Sequence, residues 1–231
     1  MGGVHQHAET FDIYVIHNHS LFERRTYLEG RFGAHTQVNF IEIEKQAPEL
    51  LDELYAGINR LSWNSKCEGL WSPPPEPRVL SSAEIACTAS HFYAYQQFLK
   101  KSNKEWLLVV EDDALFQAGL ERRIQKRINL IPDWVSALFV GGGFEHHQVS
   151  RTIGKYKNFF IKHHPATNTT VGYLLRRGLV ERMMNRFDHF DLPIDYELAY
   201  LLMINNALVL HTHPYLVSEG SKSTYQSSIR G

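Results

Sequence analysis

Glu111-Asp112-Asp113 is the densest chemistry in the chain. The three carboxylates follow Trp106-Leu107-Leu108-Val109-Val110, a continuous apolar run of the kind found in central, doubly covered strands. In open α/β sheets, ligands bind outside the carboxyl ends of strands. Three adjacent negative charges repel one another there and call for a cation, and hard oxygen ligands suit Mg²⁺ or Mn²⁺. Such an ion could hold a diphosphate and neutralise its charge as it leaves. The competing reading is a solvated loop that caps the next helix.

Other residues are weaker signals. Glu84, Cys87, His91 and Tyr95 recur at spacings of three and four, on one side of a helix. That side could line a donor pocket or be a satisfied polar seam. Arg24 and Arg25 follow the first strand, where a nucleotide or diphosphate could sit. Gly141-Gly142-Gly143 ends a strand and would let backbone approach a ligand closely. It is no P-loop, because no Gly-Lys-Ser/Thr follows. The chain has 13 histidines. The doublets His146-His147 and His163-His164 lie in expected loops, where neighbouring side chains rarely converge on one ion.

These groups need a scaffold, and the hydrophobic pattern supplies one. Residues 11–17 read as a strand, 18–32 as a helix and 37–43 as a second strand, which suggests a parallel pair with a right-handed crossover. Residues 48–60 read as helical. Residues 63–77 hold Pro73, Pro74, Pro75 and Pro77 and read as a long loop that closes over a ligand. Ser81-Ser82-Ala83-Glu84 fits a capping box, with Ile85, Ala89, Phe92, Gln96 and Leu99 as the core face of the helix it opens. An amphipathic helix follows around Leu120, Ile124 and Ile128, with Arg122, Arg123, Lys126 and Arg127 opposite. Later strands are expected at 135–140, 158–162, 170–175 and 207–211, and helices at 178–187 and 194–204. The alternation makes the class α/β.

Composition bounds the function. The chain has 231 residues, 43% hydrophobic and 21% charged, which excludes a disordered chain. Lys+Arg 24 against Asp+Glu 25 leaves a net charge of -1, with no electrostatic footprint for nucleic acid. Cys67 and Cys87 alone cannot build a disulfide scaffold or a Cys-rich zinc module. No apolar run reaches the roughly 18 residues of a transmembrane helix, and no signal peptide opens the chain. These features point to a cytoplasmic protein. The basic helix face adds an expectation of peripheral contact with an anionic membrane.

Three blocks resemble glycosyltransferase family 25, which includes lipooligosaccharide and collagen galactosyltransferases. Residues 80–91 resemble its Glu-Ile-Gly-Cys…Ser-His helix, residues 109–114 its Glu-Asp-Asp block, and Leu192-Pro193-Ile194-Asp195 its late Pro-Val-Asp segment. Weaker support comes from Ile13-Tyr14-Val15-Ile16, from His213-Pro214 and from Ser227-Ser228-Ile229. The resemblance implies a single GT-A-like, Rossmann-like domain: a mixed, mostly parallel sheet flanked by helices, over residues 11–231 after a flexible segment 1–10. It implies a metal-dependent, inverting transferase moving a hexose, galactose first, from a UDP-sugar to a glycan or glycolipid hydroxyl. Hydroxylysine of a collagen-like chain, or a non-catalytic glycan- or partner-binding domain, are the alternatives, and a metal-dependent phosphohydrolase is a third.

In that frame Glu111-Asp112-Asp113 is the DxD-type element. Asp113 and Asp112 would bind Mn²⁺ or Mg²⁺, with His213 or His211 as the C-terminal ligand. If the last strand's alternation persists, both histidines face one side. Asn18, Arg25, Glu84, His91, Glu111, Asp112 and Gly142 would contact the donor. Asp195 would be the base that takes the acceptor proton, with Asp191 as its nearest substitute.

Overall fold

Strand β1 (Phe11–Ile16), helix α1 (Phe22–Arg31) and strand β2 (Val38–Ile41) form the expected β-α-β opening, with β1 and β2 parallel. The computed structural model describes residues 10–34, 36–142, 152–166, 169–222 and 224. Short helices α2 (Ile43–Gln46), α3 (Glu49–Leu54) and α4 (Arg60–Cys67) lead to the long helix α5 (Ser82–Lys101). Then come β3 (Trp106–Glu111), β4 (Ala114–Leu115), α6 (Leu120–Ile128), β5 (Ala137–Phe139) and β6 (Gly141–Gly142). They are followed by β7 (Thr152–Tyr156), β8 (Phe159–Lys162), β9 (Gly172–Arg176), α7 (Arg177–Arg186), α8 (Ile194–Ile204), β10 (Val209–Thr212) and β11 (Val217–Glu219).

The main sheet is 8-stranded, in the order β2-β1-β3-β9-β5-β10-β8-β7. Strands β1, β2, β3, β5, β7 and β10 share one direction, and β9 and β8 run against them. This is the expected mixed sheet flanked by helices. It is covered on both faces because strand side chains alternate. Leu107 and Val109 join Ala89, Phe92, Phe98, Leu179 and Leu198 on the α5–α7–α8 side. Trp106, Leu108 and Val110 join Leu28, Leu120 and Ile124 on the α1–α6 side. One five-residue apolar run thus serves two cores, which explains why it does not alternate. No helix among the described residues is long and apolar enough to cross a membrane.

Three expectations change. Residues 60–67 form α4 rather than loop: the Asn59 side chain accepts from the Ser62 amide as the N-cap, and Trp63 is buried with its indole N–H donating to the Pro75 carbonyl at 2.8 Å. The proline-rich stretch is therefore anchored at Pro75. The α5 capping box forms as expected, but the buried side of α5 includes Thr88, His91 and Tyr95. His91 and Tyr95 can face the sheet there because the Tyr173 hydroxyl on β9 meets both of them. Strand β10 stops at Thr212, so its alternation does not extend to His213. The segment 1–9, Gly143, His146-His147 and residues 227–229 lie outside the described residues.

Candidate active site

A small second sheet builds one wall of the site. Its strand order is β4-β11-β6. Ser218 pairs with Leu115 and Glu219 with Ala114, so β11 lies beside the two residues that follow Asp113. A cavity of about 870 Å³ opens there, at the carboxyl ends of β1 and β3. That is within the range of small-molecule sites. Asn18, Arg24, Arg78, Glu84, Cys87, Glu111, Asp112, Asp113, Thr170, Asp195, Glu219 and Ser221 are among the residues around it.

The acidic triplet divides into three environments. Asp112 is only 7% exposed. Its Oδ2 accepts from His17 Nδ1 at 3.1 Å and from the Asn18 amide at 3.0 Å, and its Oδ1 from Arg24 Nη1 at 2.6 Å. Burial pushes this carboxyl up, but the three donors outweigh burial and hold it below the usual carboxylate range. Both Asp112 oxygens are thus committed to the protein, so Asp112 orients Arg24 and the β1 end rather than presenting a bare metal ligand. Glu111 accepts from the Thr170 hydroxyl and lies 3.4 Å from His91 Nε2.

Asp113 is different. The Ser221 amide donates to its Oδ2 at 3.2 Å, while Oδ1 is buried without a hydrogen-bond partner. Burial first, then the Glu111 carboxylate, push the Asp113 carboxyl up to about 7. Asp112 and Glu219 add to this and the Ser221 hydrogen bond opposes it. An orphaned, charge-crowded carboxylate oxygen fits a hard divalent cation: binding one satisfies the oxygen and restores the ionised state.

Asp195 also lines the cavity, in the first turn of α8. The Pro193 carbonyl, not the Asp195 side chain, starts that helix, accepting from the Tyr196 and Glu197 amides at 3.0 and 2.9 Å. Asp195 Oδ1 accepts from the Tyr196 amide at 3.2 Å. Tyr196 is pinned by Trp71, ring centroids 4.7 Å apart. Burial, then Glu111, push the Asp195 carboxyl up to about 6. A carboxylate raised toward neutrality and lining a cavity has the properties of a general base. Arg78 makes two hydrogen bonds to Glu84, at 2.9 and 2.5 Å, and holds the Glu84 carboxyl down to about 2.

The structure brings Asn18, Glu84, Glu111, Asp112, Asp113 and Asp195 to the cavity. It takes the other expected residues elsewhere. Arg25 points away to Glu29 and Glu42, at 2.9 and 2.7 Å, and lies over Phe40. Arg24 takes the cavity position, because adjacent residues on a helix face directions roughly 100° apart. His91 is fully buried behind the cavity wall. Gly142 lies on β6, where a Cβ would come within 2.1 Å of the Tyr215 ring; close packing, not ligand approach, explains that glycine. Asp191 is buried and ion-paired with Lys66 at 2.7 Å, and Lys66 also meets Glu197 at 2.8 Å. His211 stacks on Phe139, with Nδ1 3.0 Å from the Tyr215 hydroxyl and Nε2 2.6 Å from the Ala166 carbonyl. His213 is exposed and packs against Phe160. Neither histidine lines the cavity, and Glu219 and Ser221 occupy the C-terminal side of the triplet instead.

Arg78, Thr170, Glu219 and Ser221 were not visible from sequence. Ser221 acts through its backbone, which leaves no side-chain signature. The Arg78–Glu84 spacing of six crosses a loop into a capping box, a pattern no periodicity marks.

The family model of glycosyltransferase family 25 (LPS biosynthesis protein) matches residues 11–198. No curated protein matches significantly. Among solved structures, the chain is similar to apo mouse xyloside xylosyltransferase 1, at 11% identity and TM-score 0.39 over 86% of this chain and 70% of that one. It is similar to A197 from STIV, at 7% identity and TM-score 0.45 over 87% and 80%. A third is a glycosyltransferase involved in glycosylation of the major capsid of PBCV-1, at 10% identity and TM-score 0.42 over 95% of each chain.

Proposed function

The chain belongs to glycosyltransferase family 25, and on that premise we propose that it transfers a hexose, galactose in the first instance, from a UDP-sugar to a hydroxyl of a glycan or glycolipid such as lipooligosaccharide. The transfer uses Mn²⁺ or Mg²⁺ and inverts the anomeric carbon. The observation that carries this reading is Asp113: a buried carboxylate with an unpartnered oxygen, crowded by other carboxylates at a strand end.

Asp113, with Glu219 at the same end, would hold the cation. Bound there, it would neutralise diphosphate charge as the leaving group departs. The protein's own groups do the rest. Asp112, through Arg24 and the Asn18 amide, fixes the β1 end that lines the donor side. Asp195 accepts the acceptor's hydroxyl proton. As it does so the acceptor oxygen bonds to the anomeric carbon, and the bond from that carbon to the UDP oxygen breaks with its electron pair leaving on UDP. The product is the glycoside, UDP and protonated Asp195, which returns its proton to solvent. The same reading places the enzyme in the cytoplasm, touching the membrane through Arg122, Lys126 and Arg127 of α6.

A panel of nucleotide sugars, with UDP release as readout, tests the proposal. UDP-galactose with Mn²⁺ should release UDP in an acceptor-dependent way, and EDTA should abolish it. Full turnover in EDTA, or free phosphate as the product, overturns it.

A further inference from the structure

Cys87 and His91 are four residues apart on α5, so their side chains share one side of the helix. Glu111, the last residue of β3, meets that side. The Cys87 sulfur, a His91 ring nitrogen and a Glu111 carboxylate oxygen lie within 4.8 Å of one another. His91 is fully buried, and its Nε2 has no hydrogen-bond partner although it sits 3.4 Å from Glu111 Oε1. At that distance a plain hydrogen bond is weak. Two ligand atoms on a tetrahedral ion with bonds of roughly 2.0–2.1 Å are about 3.3 Å apart. The spacing therefore suits an ion between the two groups better than a proton.

The surroundings agree. His91 Nδ1 is 2.7 Å from the Tyr173 hydroxyl, which is 2.5 Å from the Tyr95 hydroxyl. A metal-bound imidazole donates its other N–H to an outer-shell oxygen, which fixes the tautomer and leaves the Nε2 lone pair for the ion. Tyr173 is placed to accept that N–H. Cys87 and Glu111 line the cavity, so an ion has a way in and an open coordination position toward solvent.

We infer that Cys87, His91 and Glu111 form a binding site for a thiophilic divalent cation, zinc in the first instance, distinct from the hard-cation end at Asp113. A sulfur, nitrogen and oxygen donor set selects zinc-like ions over Mg²⁺ or Mn²⁺. On binding, the Cys87 thiol releases its proton to solvent and the thiolate bonds the ion. The ion then ties α5 to the end of β3 and fixes the Glu111 carboxylate. The inference rests on the packing of α5 against β3 and not on the transfer reaction.

Co²⁺ is the probe, because thiolate ligation gives a near-ultraviolet charge-transfer band and four-coordination gives intense visible bands. Titrating the full chain should produce both bands, and Zn²⁺ should bleach them. Cys67→Ser and Asp113→Asn should keep the charge-transfer band, because Cys67 is buried in α4 and Asp113 is not a ligand of this ion. Cys87→Ser should lose the band with far-ultraviolet circular dichroism unchanged. His91→Gln should weaken Co²⁺ affinity at least about 10-fold, since even outer-shell losses cost 10–100-fold. No charge-transfer band in the wild type, or a band that survives Cys87→Ser, overturns the inference.

Discussion

The Ser221 amide donates to Asp113 Oδ2 at 3.2 Å, and the neighbouring Gly220 amide donates to the Asp113 backbone carbonyl at 2.8 Å. The acidic strand end is thus closed by a segment far along the chain, delivered by the pairing of β11 with β4. This contact leaves one Asp113 oxygen engaged and the other free for a ligand. Asp113→Asn keeps the shape and removes the charge, so turnover should fall by about 10²-fold or more, the scale of losing one strong electrostatic stabiliser.

The same substitution has a stability signature. The raised Asp113 carboxyl ionises in the unfolded chain near pH 4 and in the fold only near 7. Its cost to the metal-free fold is therefore absent below about pH 4 and grows as pH rises to about 7. In EDTA, Asp113→Asn should gain melting temperature over wild type at pH 8 and not at pH 4. Identical pH trends in the two proteins contradict this.

Arg24 and Asp112 form a buried pair at 2.6 Å. Removing one partner of such a pair costs roughly 3–5 kcal/mol. His17 and the Asn18 amide still serve Asp112, which puts Arg24→Ala at the lower end, about 3 kcal/mol by urea unfolding. A cycle with Asp112→Asn should show coupling; additive losses would mean that the pair is not linked.

Asp191→Asn separates structure from chemistry. Asp191 neutralises Lys66 behind the site, between α4 and α8. Its loss should cost about 3 kcal/mol of stability, with turnover per folded molecule unchanged. A large loss of turnover at full folding would make Asp191 a participant in the reaction.

His211 is held neutral. Burial, then the nearby Lys162, push its ring down to about 3. The unfolded chain takes up this proton below about 6.5, so folding loses stability as pH falls from about 6.5 toward 3. His211→Gln should flatten that acid limb and keep the divalent dependence of UDP affinity. Loss of that dependence would restore His211 as a metal ligand.

Sequence pattern reached the fold where one physical rule dominates. The uninterrupted run 106–110 marks a strand buried on both faces, and α8 begins and ends where its apolar run does. The capping box located α5 but not its orientation, since His91 and Tyr95 face the sheet only because Tyr173 comes from a distant strand. Among the site residues, Asp113 and Asp195 stand on the cavity wall because each lies at an element end that the pattern shows. Arg24 and Arg25 cannot be ranked without the helix's rotation. Glu219 and Ser221 depend on the two-residue strands β4 and β6, too short to carry any period, and His213 depended on a strand that ends one residue before it.

The central claim is that Asp195 takes the acceptor proton across a cavity whose donor end is Asp113. Its carboxyl near 6 predicts that turnover per UDP-sugar bound rises with pH through about 6. The most direct measurement is turnover and UDP affinity of Asp195→Asn on one folded preparation. The account predicts turnover lower by about 10²–10⁴-fold, loss of the limb near pH 6, and UDP affinity near wild type. Wild-type turnover in Asp195→Asn, with the pH limb intact, would contradict it.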